Sequence, residues 1–264
     1  MKYYTVKQIY PWLYSICGPV RVYCYLLVGE KSALLFDTGY GIAPLDEAIR
    51  EVCDLPYEVV LGHGHGDHTN GAYQFKSAWI HPEDITLCKR QTSRTARRKI
   101  IADAAERLPH GFLTDFDEES YINSGAGNLQ ALQEGQIFDL GGLTARVVPM
   151  EGHTAGSIGL FIPEHRVLID SDSANQHMWM FLDESLSVSD YISMLERTIR
   201  LDFDTFFYGH GDSPKEKSEF ARYIEVARNI DTKKSEKYEG MPWLNGLLYQ
   251  EDDGVGIIYR ESRL

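Results

Sequence analysis

The sequence predicts an α/β fold, and three observations lead to that class. Apolar runs of strand length alternate with segments of helical periodicity along the chain. At 33–36, 42–53 and 58–61, a strand, a helix and a second strand follow one another, which is one α/β step. The second half repeats this rhythm. With 264 residues and 43% hydrophobic content, the chain is long enough for a substantial core, so we predict one domain over 1–264.

The first half begins with strands and continues into a helix-rich segment. Residues 1–40 are rich in Tyr, Val, Ile and Leu, and Pro11 and Gly18-Pro19 interrupt them, as is typical of strands joined by short turns. Helical spacing of apolar residues indicates an amphipathic helix at 42–53. We expect short helices at 69–75 and 82–87 around a small strand at 78–80, and then the longest helix at 92–108.

The segment after this helix is irregular and interrupted by glycines. Long irregular insertions are more often functional than idle, so we predict a cap over the site at 90–135. The helix begins with a basic cluster, for which we favour a solvated face over a substrate-anion site: Arg94, Arg97, Arg98 and Lys99.

The second half contains more strands, two helices and a closing hairpin. Strands are predicted at 137–140, 143–149, 157–162, 167–169 and 203–208, helices at 189–201 and 213–230, and the hairpin at 243–259. Pocket walls are expected from 90–135, 173–181 and 240–260, which offer apolar surface through Trp179, Phe181, Trp243 and Tyr249.

Charge and composition restrict the classes of partner. The formal charge of −13 and the pI near 5.1 disfavour binding to nucleic acid or anionic membranes, so we expect a small-molecule substrate. No apolar run has the length of a membrane span, and residues 1–6 lack the apolar core of a secretory signal, which favours the cytoplasm. The four cysteines form no C-x-x-C pair and are interpreted as buried thiols. An oligomer is possible, but the sequence does not decide it.

The stretch 61–71 carries the most informative motif. It places His63, His65, Asp67 and His68 directly after an apolar run. Residues at i and i+2 of an extended segment point to the same side, and a turn after Gly66 brings the other two inward. Imidazoles and carboxylates are common ligands of zinc and similar divalent ions. The alternative is a set of surface histidines on a glycine-rich loop, but three at fixed offsets beside an acid argue against it.

Three further candidate ligands stand where predicted strands give way to loops. These are His153, Asp172 and His210, and open α/β sheets place binding residues at strand ends. Alone, a histidine between glycines is also compatible with a turn, and an aspartate with a helix cap. Together with the first cluster, the three favour a metal site.

This set of residues, preceded by Asp37-Thr38-Gly39, resembles the five-motif signature of the metallo-β-lactamase-fold superfamily across 34–211. The resemblance implies a four-layer αβ/βα sandwich of two mixed sheets with outer helices. It also implies a centre of two divalent ions, for which zinc is favoured over manganese or iron. It assigns His63, His65 and His153 to the first ion, and Asp67, His68 and His210 to the second. Asp172 would bridge both, and Asp37 would orient a ligand.

The same resemblance narrows the expected reaction. True β-lactamases of the superfamily typically carry Cys or Ser at the position of Asp172, so antibiotic hydrolysis is disfavoured. We expect a metallohydrolase in which two ions and a bridging hydroxide cleave a small ester, lactone, thioester or phosphodiester. Asp67 is also the candidate catalytic acid.

Tyr208, Tyr40 and His177 are weaker candidates for contacting the substrate, and packing or surface roles are favoured for each. Two alternatives to hydrolysis stay open: a mononuclear-iron oxidoreductase similar to persulfide dioxygenases, and a non-catalytic metal-binding protein.

Overall fold

Mixed β-sheets with helices on their outer faces form the fold in the computed structural model, which describes residues 3–108, 116–241 and 244–264. The strands are β1 Thr5–Tyr10, β2 Leu13–Cys17, β3 Tyr23–Val28, β4 Ala33–Phe36, β5 Tyr57–Val60, β6 Ala78–Ile80, β7 Leu129–Ala131, β8 Ile137–Asp139, β9 Thr144–Pro149, β10 Ile158–Ile162, β11 Val167–Ile169, β12 His177–Met180, β13 Thr205–Tyr208, β14 Gly211–Glu216, β15 Glu236–Lys237, β16 Leu247–Gln250 and β17 Gly256–Tyr259. The helices are α1 Leu45–Arg50, α2 Gly66–Thr69, α3 Ile85–Gln91, α4 Arg94–Arg107, α5 Glu118–Asn123, α6 Val188–Thr198 and α7 Ser218–Arg228.

Two large sheets are each built from one half of the chain. The first has the order β1-β2-β3-β4-β5-β6-β7, antiparallel from β1 to β4 and parallel from β4 to β7. The second has the order β14-β13-β11-β10-β9-β8 and contains one parallel pair, β11 with β13. A third sheet, β12-β17-β16-β15, joins the closing hairpin to β12.

The core is divided into layers by the alternation of side chains along the strands. Leu27 and Phe36 of the first sheet share the inner cluster with Leu160 and Phe207 of the second. The opposite face of the first sheet packs on α1, and that of the second packs on α6, α7 and the third sheet. Helix, sheet, sheet and helix therefore follow one another, and the predicted four-layer sandwich is confirmed.

Several local predictions need correction. Residues 213–216 were expected to begin a helix but belong to β14, which pairs with β13 at the edge of the second sheet. The third sheet was not anticipated, because β12 pairs in parallel with a strand far along the chain. Trp243 lies outside the described residues.

The segment predicted as a cap has a mixed role in the structure. Helices α4 and α5 share an apolar cluster that includes Ile101 and Tyr121, whereas β7 extends the first sheet. Arg97, expected on a solvated face, is fully buried between the rings of Tyr73 and Tyr121. Whether the segment acts as a lid stays a prediction. Among the described helices, none combines the length and apolarity that crossing a membrane requires.

Candidate metal centre

The seven predicted ligand residues follow the carboxyl ends of strands in both large sheets. His63, His65, Asp67 and His68 come after β5, and the other three follow β9, β11 and β13. The structure brings them together in two groups: His63, His65 and His153 in the first, and Asp67, His68, Asp172 and His210 in the second. Within each group, one ligand-type atom per residue lies within 4.8 Å of the others.

The first group consists of three imidazoles whose inward nitrogens nearly touch. His63 Nε2 lies 2.9 Å from His65 Nδ1, and His153 Nε2 lies 3.0 Å from the same atom. His153 donates its outer N–H to the carbonyl of Trp179 at 2.9 Å, and His65 directs its outer nitrogen to Glu184 at 2.7 Å. Because the outer nitrogens carry the protons, the inward ones present lone pairs to each other.

Asp37 and Ser171 fix the remaining tautomers from beneath the site. Asp37 accepts hydrogen bonds from Ser171 Oγ at 2.7 Å, from His68 Nδ1 at 2.8 Å and from Gly62 N at 2.7 Å. Since the Ser171 proton goes to Asp37, its oxygen is free to accept from His63 Nδ1 at 2.9 Å. This network connects both groups and leaves Nε2 of His63 directed at His65 and Nε2 of His68 directed at the carboxylates of Asp67 and Asp172.

The second group combines two carboxylates with two imidazoles. His68 Nε2 lies 3.4 Å from both Asp67 Oδ2 and Asp172 Oδ1, and His210 Nε2 lies 3.2 Å from Asp172 Oδ2. His68 is fully buried, whereas the His210 side chain is 39% exposed. His210 therefore closes the group on the solvent side.

The two groups hold protons differently. Burial, together with the neighbouring His68 and His65, lowers the pKa of His63 well below its ordinary value, and burial beside His65 lowers the pKa of His153 to about 4. Burial also opposes the charge on His68, but three carboxylates outweigh it and raise the pKa of His68 well above its ordinary value. Asp172 raises the pKa of His210 to about 9. His63 and His153 are thus neutral at pH 7, whereas the carboxylates of the second group favour positive charge beside them.

The donor atoms of both groups are of kinds that bind divalent cations. Three converging lone pairs repel one another unless a cation lies among them, and imidazole nitrogens are good ligands for zinc. In the second group, His68 Nε2 and Asp172 Oδ1 are buried and lie 3.4 Å apart, but neither makes a hydrogen bond. Unpartnered buried polar atoms of this kind need an explanation, and a bound ion provides one.

A cavity of about 870 Å³ opens over both groups. The weaker candidates Tyr40, Tyr208 and His177 all line it. His177 Nε2 lies 3.0 Å from Gln250 Nε2. Apolar wall residues face the same space: Ile100, Trp179, Leu182, Met241 and Leu244.

Three residues that hold the site were missed by the sequence reasoning. Ser171 directly precedes the candidate ligand Asp172, so its place in the strand-end loop was the available signal. Asp84 accepts hydrogen bonds from Gly64 N and Thr154 Oγ1, at 2.7 and 2.6 Å. Glu184 contacts His65 across 119 sequence positions. Neither acid belongs to a recognisable motif.

Comparison with known proteins identifies the family. A sequence model of the metallo-beta-lactamase superfamily matches residues 17–210. The chain belongs to this superfamily. Residues 17–210 include both groups of candidate ligands.

Curated relatives are distant but cover much of the chain. An acyl-coenzyme A thioesterase MBLAC2 from Gallus gallus is 25% identical over 190 residues, which are 69% of this chain and 68% of the relative. The protein of that name from Homo sapiens is 24% identical over 193 residues, with the same shares. The probable metallo-hydrolase YqgX of Bacillus subtilis is 21% identical over 61% of this chain and 70% of its own.

Solved structures support the fold. A metallo-beta-lactamase from Pontibacter korlensis superimposes with a TM-score of 0.60 at 15% identity, over 86% of this chain and 100% of the other. The sec-alkylsulfatase Pisa1 from Pseudomonas sp. superimposes with a TM-score of 0.63 at 13% identity, over 85% of this chain and 41% of the sulfatase chain. At these identities the likeness concerns the fold alone.

Proposed function

We propose that the protein is a metal-dependent hydrolase that cleaves a thioester or a related ester with an apolar acyl group. The prediction of a metallohydrolase is borne out by membership of the superfamily and by the thioesterase relatives. The observation that carries the proposal is the pairing of a three-imidazole group with a group of two carboxylates and two imidazoles at the base of one cavity. The two-ion centre, zinc as its metal and the cytoplasmic location are part of the proposal.

Each residue group has a distinct task in this reaction. Two bound divalent ions would supply a water of lowered pKa as the nucleophile and polarise the carbonyl oxygen of the substrate. His63, His65 and His153 would hold one ion, and Asp67, His68 and His210 the other, with Asp172 between them. Asp37 and Ser171 keep His63 and His68 in the tautomer that binds.

Asp67 is the residue to which we assign proton transfer to the leaving group. Its side chain is 25% exposed and lines the cavity. Burial opposes ionisation, but His68 and His210 lower the pKa of Asp67 well below its ordinary range. Asp67 is therefore a carboxylate at neutral pH, which accepts a proton from the attacking water before it passes one to the leaving group.

The cavity walls favour a neutral, apolar acyl group. Trp179 and Leu182 offer apolar surface on one side, while Asp103, Asp183 and Glu184 line the same space. Among the lining residues Arg90 is the one Arg or Lys, and it is paired with Glu184 at 3.0 Å. A carboxylate on the acyl group would meet acids rather than a free cation.

Metal analysis combined with a substrate panel tests the proposal. The purified protein should contain two equivalents of zinc or manganese and should release thiol from apolar acyl thioesters, including acyl-coenzyme A. Chelation should abolish the release, and added zinc should restore it. His153→Ala should lose activity, whereas His165→Ala, whose ring stacks on Trp12 with 4.4 Å between centroids, serves as the matched imidazole control.

Two other results would overturn the proposal. One equivalent of iron, together with oxygen consumption, would instead indicate an oxidoreductase. Full occupancy by two ions without turnover of any thioester, ester, lactone or phosphodiester would indicate a binding protein. The role of Asp67 is tested separately with Asp67→Asn: loss of about 10²–10⁴-fold in kcat is expected. An unchanged pH profile and solvent isotope effect in a variant that keeps both metals would remove that role.

A further inference from the structure

His65 differs from the other two histidines of the first group in the nitrogen that it turns inward. His63 and His153 present Nε2, whereas His65 presents Nδ1. A free neutral imidazole exchanges between two tautomers, so an inward Nδ1 lone pair requires a partner that keeps the proton on Nε2. That partner is Glu184, whose Oε1 lies 2.7 Å from His65 Nε2.

Both carboxylate oxygens of Glu184 are engaged. Oε2 accepts from Arg90 Nη2 at 3.0 Å, while Oε1 faces His65. The side chain of Glu184 is 18% exposed and that of Arg90 is 62% exposed. The pair therefore runs from the mouth of the cavity to the edge of the first group, and Glu184 cannot rotate without breaking one of its two contacts.

The loop that carries Glu184 also supports His153. Ser185 Oγ donates to the carbonyl of His153 at 3.0 Å, and Leu186 N donates to Gly152 O at 2.9 Å. This loop lies between β12 and α6, outside the motifs that supply the ligands. It is consequently fixed against the His153 loop, and Glu184 is held at a defined distance from His65.

We propose that Glu184 is a positioning residue for metal binding, which holds His65 with Nδ1 directed at the first ion while Arg90 fixes Glu184. The inference rests on the proposed metal centre. A carboxylate bonded to a metal-binding imidazole raises the basicity of the ligand and fixes its ring, and loss of such a partner typically costs about 10–100-fold in metal affinity.

Zinc binding to the ion-stripped protein, measured by competition with a chromophoric chelator, tests the role of Glu184. Glu184→Ala should weaken the binding step of the first group by about 10–100-fold and leave the other step unchanged. Glu184→Gln keeps the shape and one oxygen acceptor, so its loss should be smaller. The zinc affinity of the first group in Arg90→Gln should lie between that of Glu184→Gln and that of the wild type. His153→Ala identifies which step belongs to the first group.

A matched control separates this role from the loss of an ordinary ion pair. Glu219 on α7 is 32% exposed, pairs with Lys215 and bonds to Tyr223; Glu219→Gln should bind both ions as the wild type does. The absorption spectrum of the cobalt-substituted protein should change in the Glu184 variants and stay constant in Glu219→Gln.

Failure of the Glu184 proposal and failure of the proposed metal centre would give different results. Wild-type affinity in Glu184→Ala, or equal weakening of both steps, would refute the role of Glu184. If Glu184→Ala does not fold, the isosteric Glu184→Gln decides: an unchanged first step refutes the role. A wild-type protein that binds no zinc would instead refute the proposed metal centre.

Discussion

Asp84 is a buried carboxylate that connects the two loops carrying the histidines of the first group. It is 2% exposed. Oδ2 accepts from Gly64 N at 2.7 Å and from Thr154 Oγ1 at 2.6 Å, and Oδ1 accepts from Gly156 N at 3.0 Å. Because Gly64 lies between His63 and His65, and Thr154 follows His153, we expect the stability of the fold and the geometry of the site to depend on this one side chain.

The magnitude follows from the hydrogen bonds that a substitution breaks. Asp84→Ala leaves two buried backbone N–H groups unpartnered, and each costs about 1–3 kcal/mol, so the free energy of unfolding should fall by about 2–6 kcal/mol. The Thr154 hydroxyl keeps a partner in Ser157 Oγ at 2.7 Å and adds little. Asp84→Asn retains one acceptor oxygen and should lose about half as much.

Urea unfolding of the ion-stripped protein measures this change without a contribution from bound metal. Glu58→Ala provides the control, since Glu58 is exposed and accepts one bond from Trp79 Nε1 at 2.8 Å. It should cost less than about 1 kcal/mol. If the free energy of unfolding of Asp84→Ala lies within about 1 kcal/mol of the wild-type value, the two loops do not need the carboxylate for their stability.

Three further predictions concern the second group and the buried cation. Gly209→Ala would place a Cβ 2.6 Å from His68 Cε1 and 2.8 Å from Asp172 Oδ1. Chelator competition should therefore show that the second group binds zinc at least about tenfold more weakly. Wild-type zinc affinity would contradict this prediction. Because the pKa values of His68 and His210 are raised, the latter to about 9, both carry protons at pH 7. Calorimetry in buffers of different ionisation enthalpy should detect about two protons released for each ion bound at the second group. The metal affinity of this group should rise with pH up to about pH 9. Metal binding without proton release would refute the prediction. Arg97→Met removes donors to Thr92 O, Asn70 O and Gly125 O and should lower the free energy of unfolding by about 3 kcal/mol or more; a wild-type urea midpoint would argue against this.

The candidate ligands were predictable because their signal is local. His63, His65, Asp67 and His68 lie within six consecutive positions, and the other three candidate ligands each follow an apolar strand. Parallel and neighbouring strands bring their carboxyl ends to one edge of a sheet, so the order of strands and loops was enough to expect convergence. The α/β class followed from the same periodicity.

What the sequence could not give depends on contacts between distant segments. Asp84 and Glu184 are recognised by the loops that they bond to, and nothing in their own neighbourhoods distinguishes them from surface acids. Residues 213–216 contain Pro214 and two charged residues, a poor strand composition that an edge strand such as β14 tolerates. Arg97 is buried because two aromatic rings and three carbonyl oxygens surround it, and those partners lie elsewhere in the chain.

The walls of the cavity and the support of the metal site are not independent. Glu184 lines the cavity and also bonds to His65, and the neighbouring Asp183 is held by Arg260, 2.6 Å away near the end of the chain. A substitution in this wall therefore also acts on His65, which Glu184 contacts. The proposed ligands lie in the predicted motifs while Glu184 lies outside them, so a substitution in this wall that removes the partner of His65 Nε2 is expected to weaken metal binding without touching a ligand.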